Sequence, residues 1–549
     1  MPVTLMAKLL VSAVITAAAS PPPPCSDGGS KNCSCSPTNT EHPRFHITGL
    51  GGGAHDVNAI FSWKGKWHVF NQRDDNWGHL VSSDFATWTR LPDALVGGSW
   101  DGSLTLVDGQ PIILYDCTSV ANCRPPKPGT TVAAGSHSQV KSGDPPLIGV
   151  ARPADLTDEL LTNWTKDPKN PVVFAGAPTT YSGPSTIWKN SATAKYQMEQ
   201  ILGQTTGLFE TSDPNFHNWK LVNSSFFPQS GSGGGIFLPL PNVGGSSNTI
   251  AAATAAATTE GGRDAAVAVA AAAAGPARST HMLNMGHECK NFILGTFEAA
   301  TSIFLPTPAN VPDRHPVRVP IDLGEVYFSE VNIVDGGRYI HVGWVIGADC
   351  LTTPREISYD ATLEQLLSNP VAELQSLRGA LISHPAAALP AVLKAGSSLA
   401  LFDGKTNETA YDLELAFALV PGQPLSIAVS LLSAVPPPSS GCGIGDHFCF
   451  EVDVSVDHVA VFKSSGVRDY SFALPAGTSE LTVRALVDRN IMEVFVAGGR
   501  AVSTYGCGAG GRICPARPVT AELGAWVTAV SAVTVNSALA WEMGCGWAV

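Results

Sequence analysis

Charge is scarce in this chain. Asp, Glu, Lys and Arg make up 14% of its 549 residues, against about a quarter in an ordinary soluble domain. Positive charge is the scarcer sign: 33 Lys and Arg face 46 Asp and Glu, a net charge of −13, and no basic run exists that would track a phosphate backbone. Nucleic acid is therefore not an expected partner. Long apolar runs are missing as well. Beyond residue 20 nothing approaches the roughly 18 uninterrupted apolar residues that a membrane-spanning helix needs, so no membrane partner is expected and the mature chain should be soluble. The Ala-rich stretch near residue 270 comes nearest, but alanine is too weakly hydrophobic to hold a span by itself. No spacing of His, Asp or Cys resembles a metal site, and neither metal nor cofactor is expected.

What is present points to export. Met1 to Ser20, "MPVTLMAKLLVSAVITAAAS", has one Lys, a short apolar core and a small-residue end, the pattern of a cleavable signal peptide, and implies a secreted, vacuolar or extracellular location. Twelve cysteines suit an oxidising compartment, with Cys117/Cys123, Cys442/Cys449 and Cys507/Cys514 as local pairs. Residues 21–44 form a Cys- and Pro-rich tail in which Cys25, Cys33 and Cys35 read as disulfide tethers rather than zinc ligands. Asn32, Asn163, Asn223 and Asn407 lie in glycosylation sequons.

From about residue 55 to 350 short β-type runs alternate with Gly, Pro, Asn and Asp clusters, without a sustained helical period. "AIFSWKGKWHVFNQ", "SLTLVDGQPIILYDC" and "YFSEVNIVDGGRYIHVGWV" each read as strand, polar turn, strand. Their similar spacing favours a propeller over a sandwich or barrel in this region. The Ala-rich segment 250–279 is an inserted surface loop. The one helical expectation falls in "TTPREISYDATLEQLLSNPVAELQSLRGA", where Leu363, Leu366, Leu367, Val371, Leu374 and Leu377 are spaced for a single helix face; it would make 351–384 a helical linker. From 385 to 549 strands return, with alternation such as Val452, Val454 and Val456 that suits a β-sandwich.

Several motifs, taken in order, resemble glycoside hydrolase family 32, the invertase and fructan hydrolase group. "HDVNAIFSWKGKWHVFNQ" is similar to the family's opening Asn-Asp-Pro-Asn-Gly strand with its downstream Gln. "WGHLVSSDFATWTRLPDAL" follows, then "WDGSLTLVDGQPIILYD" in place of a Ser-Gly-Ser strand, "PREISYD" with "PVAELQSLR", and finally "LVDRNIMEVFVAGGRAVST". The likeness runs from about residue 45 to 535, the Ala-rich insert excepted. It implies an all-β fold, a five-bladed β-propeller over 45–350 followed by a β-sandwich, and hydrolysis of terminal β-fructosyl linkages in sucrose or a fructan oligosaccharide.

Such retaining chemistry needs two carboxyl groups about 5 to 5.5 Å apart, a nucleophile and a proton donor. Asp56 stands at the family's nucleophile position, after glycines and before a strand; the bland alternative is an Asp that caps a turn. Around it the family Pro and Gly become Val57 and Ala59, while Asn58 is kept. A second family carboxylate, in an Arg-Asp-Pro motif, is replaced in "YSGPSTIW" by Ser182 and Gly183, leaving Ser182 or Ser185 as weaker neutral substitutes. The third, an acid/base Glu-Cys, should precede "IFLPLP", where Ser230 to Gly235 hold no acid. Glu288, in "GHECK", is the candidate acid/base, against a reading as an exposed turn glutamate; Asp264 is a weaker choice. The resemblance places Asn58, Gln72, Trp77, Trp100, Asp101 and Ser103 around the sugar, although each tryptophan equally fits blade packing. His55 and His79 fit either a charge-tuning or a structural role. Two other readings stay open: a propeller that binds fructan or another glycan without catalysis, and a purely structural extracellular module.

Overall fold

The hairpin turns decide the local architecture. At Lys64-Gly65 and Asp108-Gly109 both central residues have positive φ (48° and 76°, 49° and 80°), the twist that matches two-residue hairpins. They join Val57–Trp63 to Lys66–Arg73 and Ser99–Val107 to Gln110–Cys117. A third turn, Asp335–Gly337, with Gly336 and Gly337 at 76° and 77°, joins Val326–Val334 to Arg338–Val345. The computed structural model describes residues 43–48, 54–125, 147–175, 183–202, 205–227, 236–241, 281–284, 291–306, 318–346, 348, 350–383, 385, 387–402, 409–443, 448–464, 469–506 and 524–547. The signal segment, the Ala-rich insert and Cys507/Cys514 lie outside them. Disulfides Cys117–Cys123 and Cys442–Cys449 are both formed.

Between Ile47 and Pro370 the described strands form five antiparallel-dominated sheets. Apolar clusters lie between successive sheets and form a ring. Phe61, Phe70 and Trp77 of the first sheet meet Leu104, Ile113 and Tyr115 of the second; Leu114 and Val150 meet Met198 and Phe209 of the third. Leu208 and Phe227 then pack on Phe237 and Leu283 of the fourth, and Ile236 and Phe292 on Val331 and Ile357 of the fifth. Val57, Ile60 and Val69 of the first sheet return to Ile340 and Val342 of the fifth. The ring is latched by the short strand Ile47–Thr48, which pairs with Cys350–Leu351 of the fifth sheet. This is a β-propeller.

The helical expectation for 351–384 is wrong. Arg355–Asp360 and Gln365–Pro370 are paired strands that finish the fifth sheet, followed by a 3₁₀ turn at Ala372–Leu377. Burial alternates residue by residue along both strands, so Leu366 is buried while Leu367 is half-exposed. Over so short a run leucines spaced for a helix face satisfy the strand period too. Local chemistry then selects the turn: Asp360 accepts from Thr362 N (2.9 Å) and Leu363 N (3.2 Å), and Glu364 takes a positive φ of 50°. Pro354 and Pro370 bracket a stretch that no continuous helix would include.

From Arg378 to Met543 a seven-stranded and a six-stranded sheet enclose one apolar core, a β-sandwich. A buried ionic cluster joins it to the propeller. His46 contacts Asp488 Oδ2 through Nδ1 and Glu493 Oε1 through Nε2, both at 2.9 Å. Arg355 donates to Glu493 Oε2 (3.0 Å), Asp322 Oδ2 (2.7 Å) and Thr504 Oγ1 (2.5 Å). Asp488 also accepts the backbone N–H groups of Arg44, Phe45 and His46. Burial alone would lower the His46 pKa, but the bonds to Asp488 and Glu493 outweigh it and raise it from 6.5 to about 9. Burial would raise Glu493, but the Arg355 charge and the His46 bond hold it at about 2, below its ordinary 4.5.

The sign of the pH dependence follows. A raised His46 stabilises fully below pH 6.5 and loses that contribution as pH climbs through about 9. A depressed Glu493 stabilises above pH 4.5 and loses its contribution as pH falls towards about 2. Thermal unfolding followed across pH should show the cluster's full contribution between these limits. His46→Gln should remove the loss attributable to His46 between pH 6.5 and 9, while lowering stability at pH 5.5 by about 3–5 kcal/mol.

Candidate active site

Asp56 ends the segment before Val57–Trp63, the first sheet's inner strand. Its backbone is fixed by a ladder with Gln72: His55 N donates to Gln72 O (3.2 Å) and Gln72 N to Asp56 O (2.7 Å). Its side chain is half-buried, and Oδ1 has no hydrogen-bond partner among the described residues. Burial raises its pKa, and the neighbouring His55 pulls it back. A carboxylate so placed is desolvated yet reachable. His55 in turn packs on Trp344 of the fifth sheet, ring centroids 5.0 Å apart, and Trp344 meets Tyr327 edge-on at 5.7 Å. Both aromatics are half-buried, and the sequence reading missed them because they belong to a different sheet.

Gln72 connects Asp56 to the second sheet. Its Nε2 donates to Ser99 O at 3.1 Å and to Asp74 O at 2.5 Å, so the amide nitrogen expected on a sugar instead braces the second strand of the first sheet against the start of the second sheet. Just beyond Ser99 the second sheet bulges. Ser99 pairs with Cys117 and Gly102 with Tyr115, so Trp100 and Asp101 together oppose the single residue Asp116. Glycine is obligatory at the exit of the bulge: a Cβ on Gly102 would lie 2.1 Å from Leu114 O and 2.9 Å from the Trp77 ring.

The bulge brings two carboxyl groups to the edge of the site. Asp101 and Asp116 are half-buried neighbours on paired strands. Burial, together with the charges of Asp56 and Asp116, pushes Asp101 well above the usual carboxylate range. Asp116 is pushed up to about 7 by burial, despite accepting the Gly183 N–H at 2.9 Å. Asp116 was not among the expected site residues. Its functional placement depends on the strand register, which a lone "YDC" does not disclose.

Other expected residues occupy structural positions. Trp77 is 0% exposed in the core between the first two sheets and donates to Trp100 O at 2.5 Å. Ser103, 1% exposed, donates to Ser185 O at 2.7 Å and links the second sheet to the third. Asn58 is fully buried, with both amide atoms lacking partners among the described residues. Trp100 stays half-exposed, its indole 3.3 Å from Asp75 Oδ1. His79 is buried against His68, Nε2 to Nδ1 2.9 Å, and burial keeps its pKa far below neutrality. Ser185 cannot stand in for a carboxylate, since its hydroxyl donates to Thr186 O and accepts from Glu199 N. Gly183 takes a φ of 58°. Ser182, Asp264, Glu288 and Ser230 to Gly235 lie outside the described residues.

Two further acids went unnoticed in the sequence because each sits in an ordinary strand run. Glu199 has neither carboxylate oxygen bonded among the described residues, and burial lifts it to about 8. Glu330, on the fifth sheet's inner strand, is lifted well above its usual range by burial. Among the described residues no group of three His, Cys, Asp or Glu is arranged to hold a metal ion.

Comparison with known proteins agrees with this architecture. The model of the glycosyl hydrolases family 32 N-terminal domain matches residues 46–370. A protein of Oryza sativa subsp. japonica named beta-fructofuranosidase, insoluble isoenzyme 4, is 25% identical over 593 residues, covering 91% of this chain and 88% of its own. A fructan 1-exohydrolase of Bromus pictus is 25% identical over 414 residues, covering 65% of this chain and 60% of its own. In fold, the chain is similar to the crystal structure of fructan 1-exohydrolase IIa from Cichorium intybus, with a TM-score of 0.69, 20% identity, and coverage of 93% and 99%. The exo-inulinase of Aspergillus awamori is similar at a TM-score of 0.61 and 16% identity, covering 93% of this chain and all of that one. The match from His46 to Pro370 spans more than half of the chain, which therefore belongs to family 32 of the glycosyl hydrolases.

Proposed function

We propose that this protein is a secreted β-fructosidase that cleaves terminal β-fructosyl linkages of sucrose or fructans with retention of configuration. The observation that carries the reading is the gathering of Asp56, Asp101 and Asp116 at the junction of the first two sheets. Double displacement requires a carboxylate that attacks the anomeric carbon and a second carboxyl group that protonates the departing oxygen. Asp56 is the attacking group. It is partly stripped of water, one of its oxygens has no hydrogen-bond partner among the described residues, and its backbone is held by Gln72. Trp344, Tyr327 and Trp100 offer aromatic surface for the apolar edge of a sugar. The names of the rice and Bromus relatives support fructose as the transferred unit. Two formed disulfides and an exposed Asn163 in its sequon support a location outside the reducing cytosol.

The rival reading, a fructan-binding propeller without catalysis, draws on Gly183, which brings no carboxylate of its own. Incubation with sucrose and with inulin separates the two. The proposal expects fructose release, reduced about 10⁴-fold or more in Asp56→Asn. Sugar binding by the unmodified protein with no release would establish the rival.

Crowded carboxyl groups also cost stability. Asp116, raised from 3.8 to about 7, favours the folded state below pH 3.8 and loses that advantage as pH rises through about 7. Asp116→Asn keeps an acceptor for Gly183 N–H and removes the titration. Its melting temperature at pH 8 should exceed that of the unmodified protein by about 2 °C or more, with little difference at pH 3.5.

A further inference from the structure

We infer that Asp101, presented by the bulge of the second sheet, is the proton donor of this site. The inference rests on the hydrolase reading above. A donor has to reach the glycosidic oxygen from beside the nucleophile, carry its proton at working pH and stand free of competing bonds. The bulge meets the first condition: a β-bulge re-aims a side chain, and this one follows directly on Ser99, which Gln72 ties to the backbone of Asp56. Asp101 is near enough for the Asp56 charge to act on it. The second condition is met by burial and like charge together, since a dry setting beside Asp56 and Asp116 disfavours the ionised form of Asp101. The third is met because, among the described residues, the Asp101 carboxyl group takes part in no hydrogen bond, while the residue remains partly open to solvent.

The competing acids fail one condition each. Glu199 carries a proton but is 2% exposed, and no charge interaction ties it to Asp56. Glu330 is 2% exposed and likewise sealed. Asp116 is moored by Gly183 N–H, which favours its ionised form relative to Asp101. Asp116 therefore places a carboxyl group beside Gly183, which has no side chain to bring one.

The reaction balances with these groups alone. In the first step the Asp101 proton passes to the glycosidic oxygen, the bond from that oxygen to the anomeric carbon breaks, and an Asp56 oxygen bonds to that carbon. In the second step the Asp101 carboxylate takes a proton from water, the water oxygen bonds to the anomeric carbon, and the ester bond to Asp56 breaks. Fructose leaves, and both side chains return to their starting forms.

Asp101→Asn, nearly identical in shape, tests the assignment, with Asp101→Ser as a second variant. On sucrose, kcat/KM should fall about 10²- to 10⁴-fold. An aryl β-fructofuranoside, whose leaving group needs no proton, should still form the fructosyl-enzyme, and added azide should restore turnover with β-fructosyl azide as product. Asp56→Asn should show no such rescue. Sucrose hydrolysis by both Asp101 variants at the unmodified rate overturns the inference, as does azide rescue found in Glu288→Gln instead. An unmodified protein that releases no fructose from sucrose or inulin overturns the hydrolase reading and this inference together.

Discussion

Two cations and three carboxylates, sealed between propeller and sandwich, set the conditions under which the rest of the molecule is assembled. His46 and Arg355 come from the propeller, Asp488 and Glu493 from the sandwich, and Asp322 approaches from the propeller side to meet both Arg355 and Thr504. Every one of these side chains is 0–1% exposed. Charges this dry tolerate only a paired geometry, because removing any member leaves another unpaired in low dielectric. Asp488 adds a second constraint by accepting three successive backbone N–H groups of Arg44, Phe45 and His46. The strand that latches the ring begins at the next residue, Ile47.

Stability and chemistry treat buried charge in opposite ways. At the seam each carboxylate is matched by a cation or by several donors, and Glu493 falls to about 2. At the site the carboxyl groups face one another with few donors, and Asp56, Asp101 and Asp116 all move upward. The first arrangement holds two domains together. The second favours the protonated forms of Asp101 and Asp116 and leaves Asp56 poorly solvated, at the expense of the folded state. A well-matched seam is what lets a mismatched site persist.

The sequence disclosed what local chemistry determines and concealed what register determines. Lys64-Gly65 and Asp108-Gly109 were readable as hairpin turns because both of their central positions need positive φ. The place of Asp56 just before a strand was readable from the glycines ahead of it and the apolar run behind it. The leucines of 363–377 misled, since their spacing fits two periods over so few residues and an Asp360 turn makes the choice. Asp116 stayed hidden because it matters only opposite a bulge, and Gln72 and Ser103 because their polar atoms turn towards neighbouring strands rather than a ligand. Trp77 divided evenly between sugar and core in the sequence; its complete burial places it in the core.

The latch at Ile47–Thr48 carries a temporal consequence. Its partners, Cys350–Leu351, emerge some three hundred residues later in synthesis, and the bond from His46 to Glu493 spans 447 positions. Loop closure over such distances precedes any reward from the contacts it makes. Asp56 lies between the latch and the first inner strand, and its neighbour His55 finds Trp344 only after the fifth sheet exists. A nascent chain that stops short of Cys350–Leu351 has no latch on its ring, and the surroundings of Asp56 stay incomplete until the fifth sheet is in place.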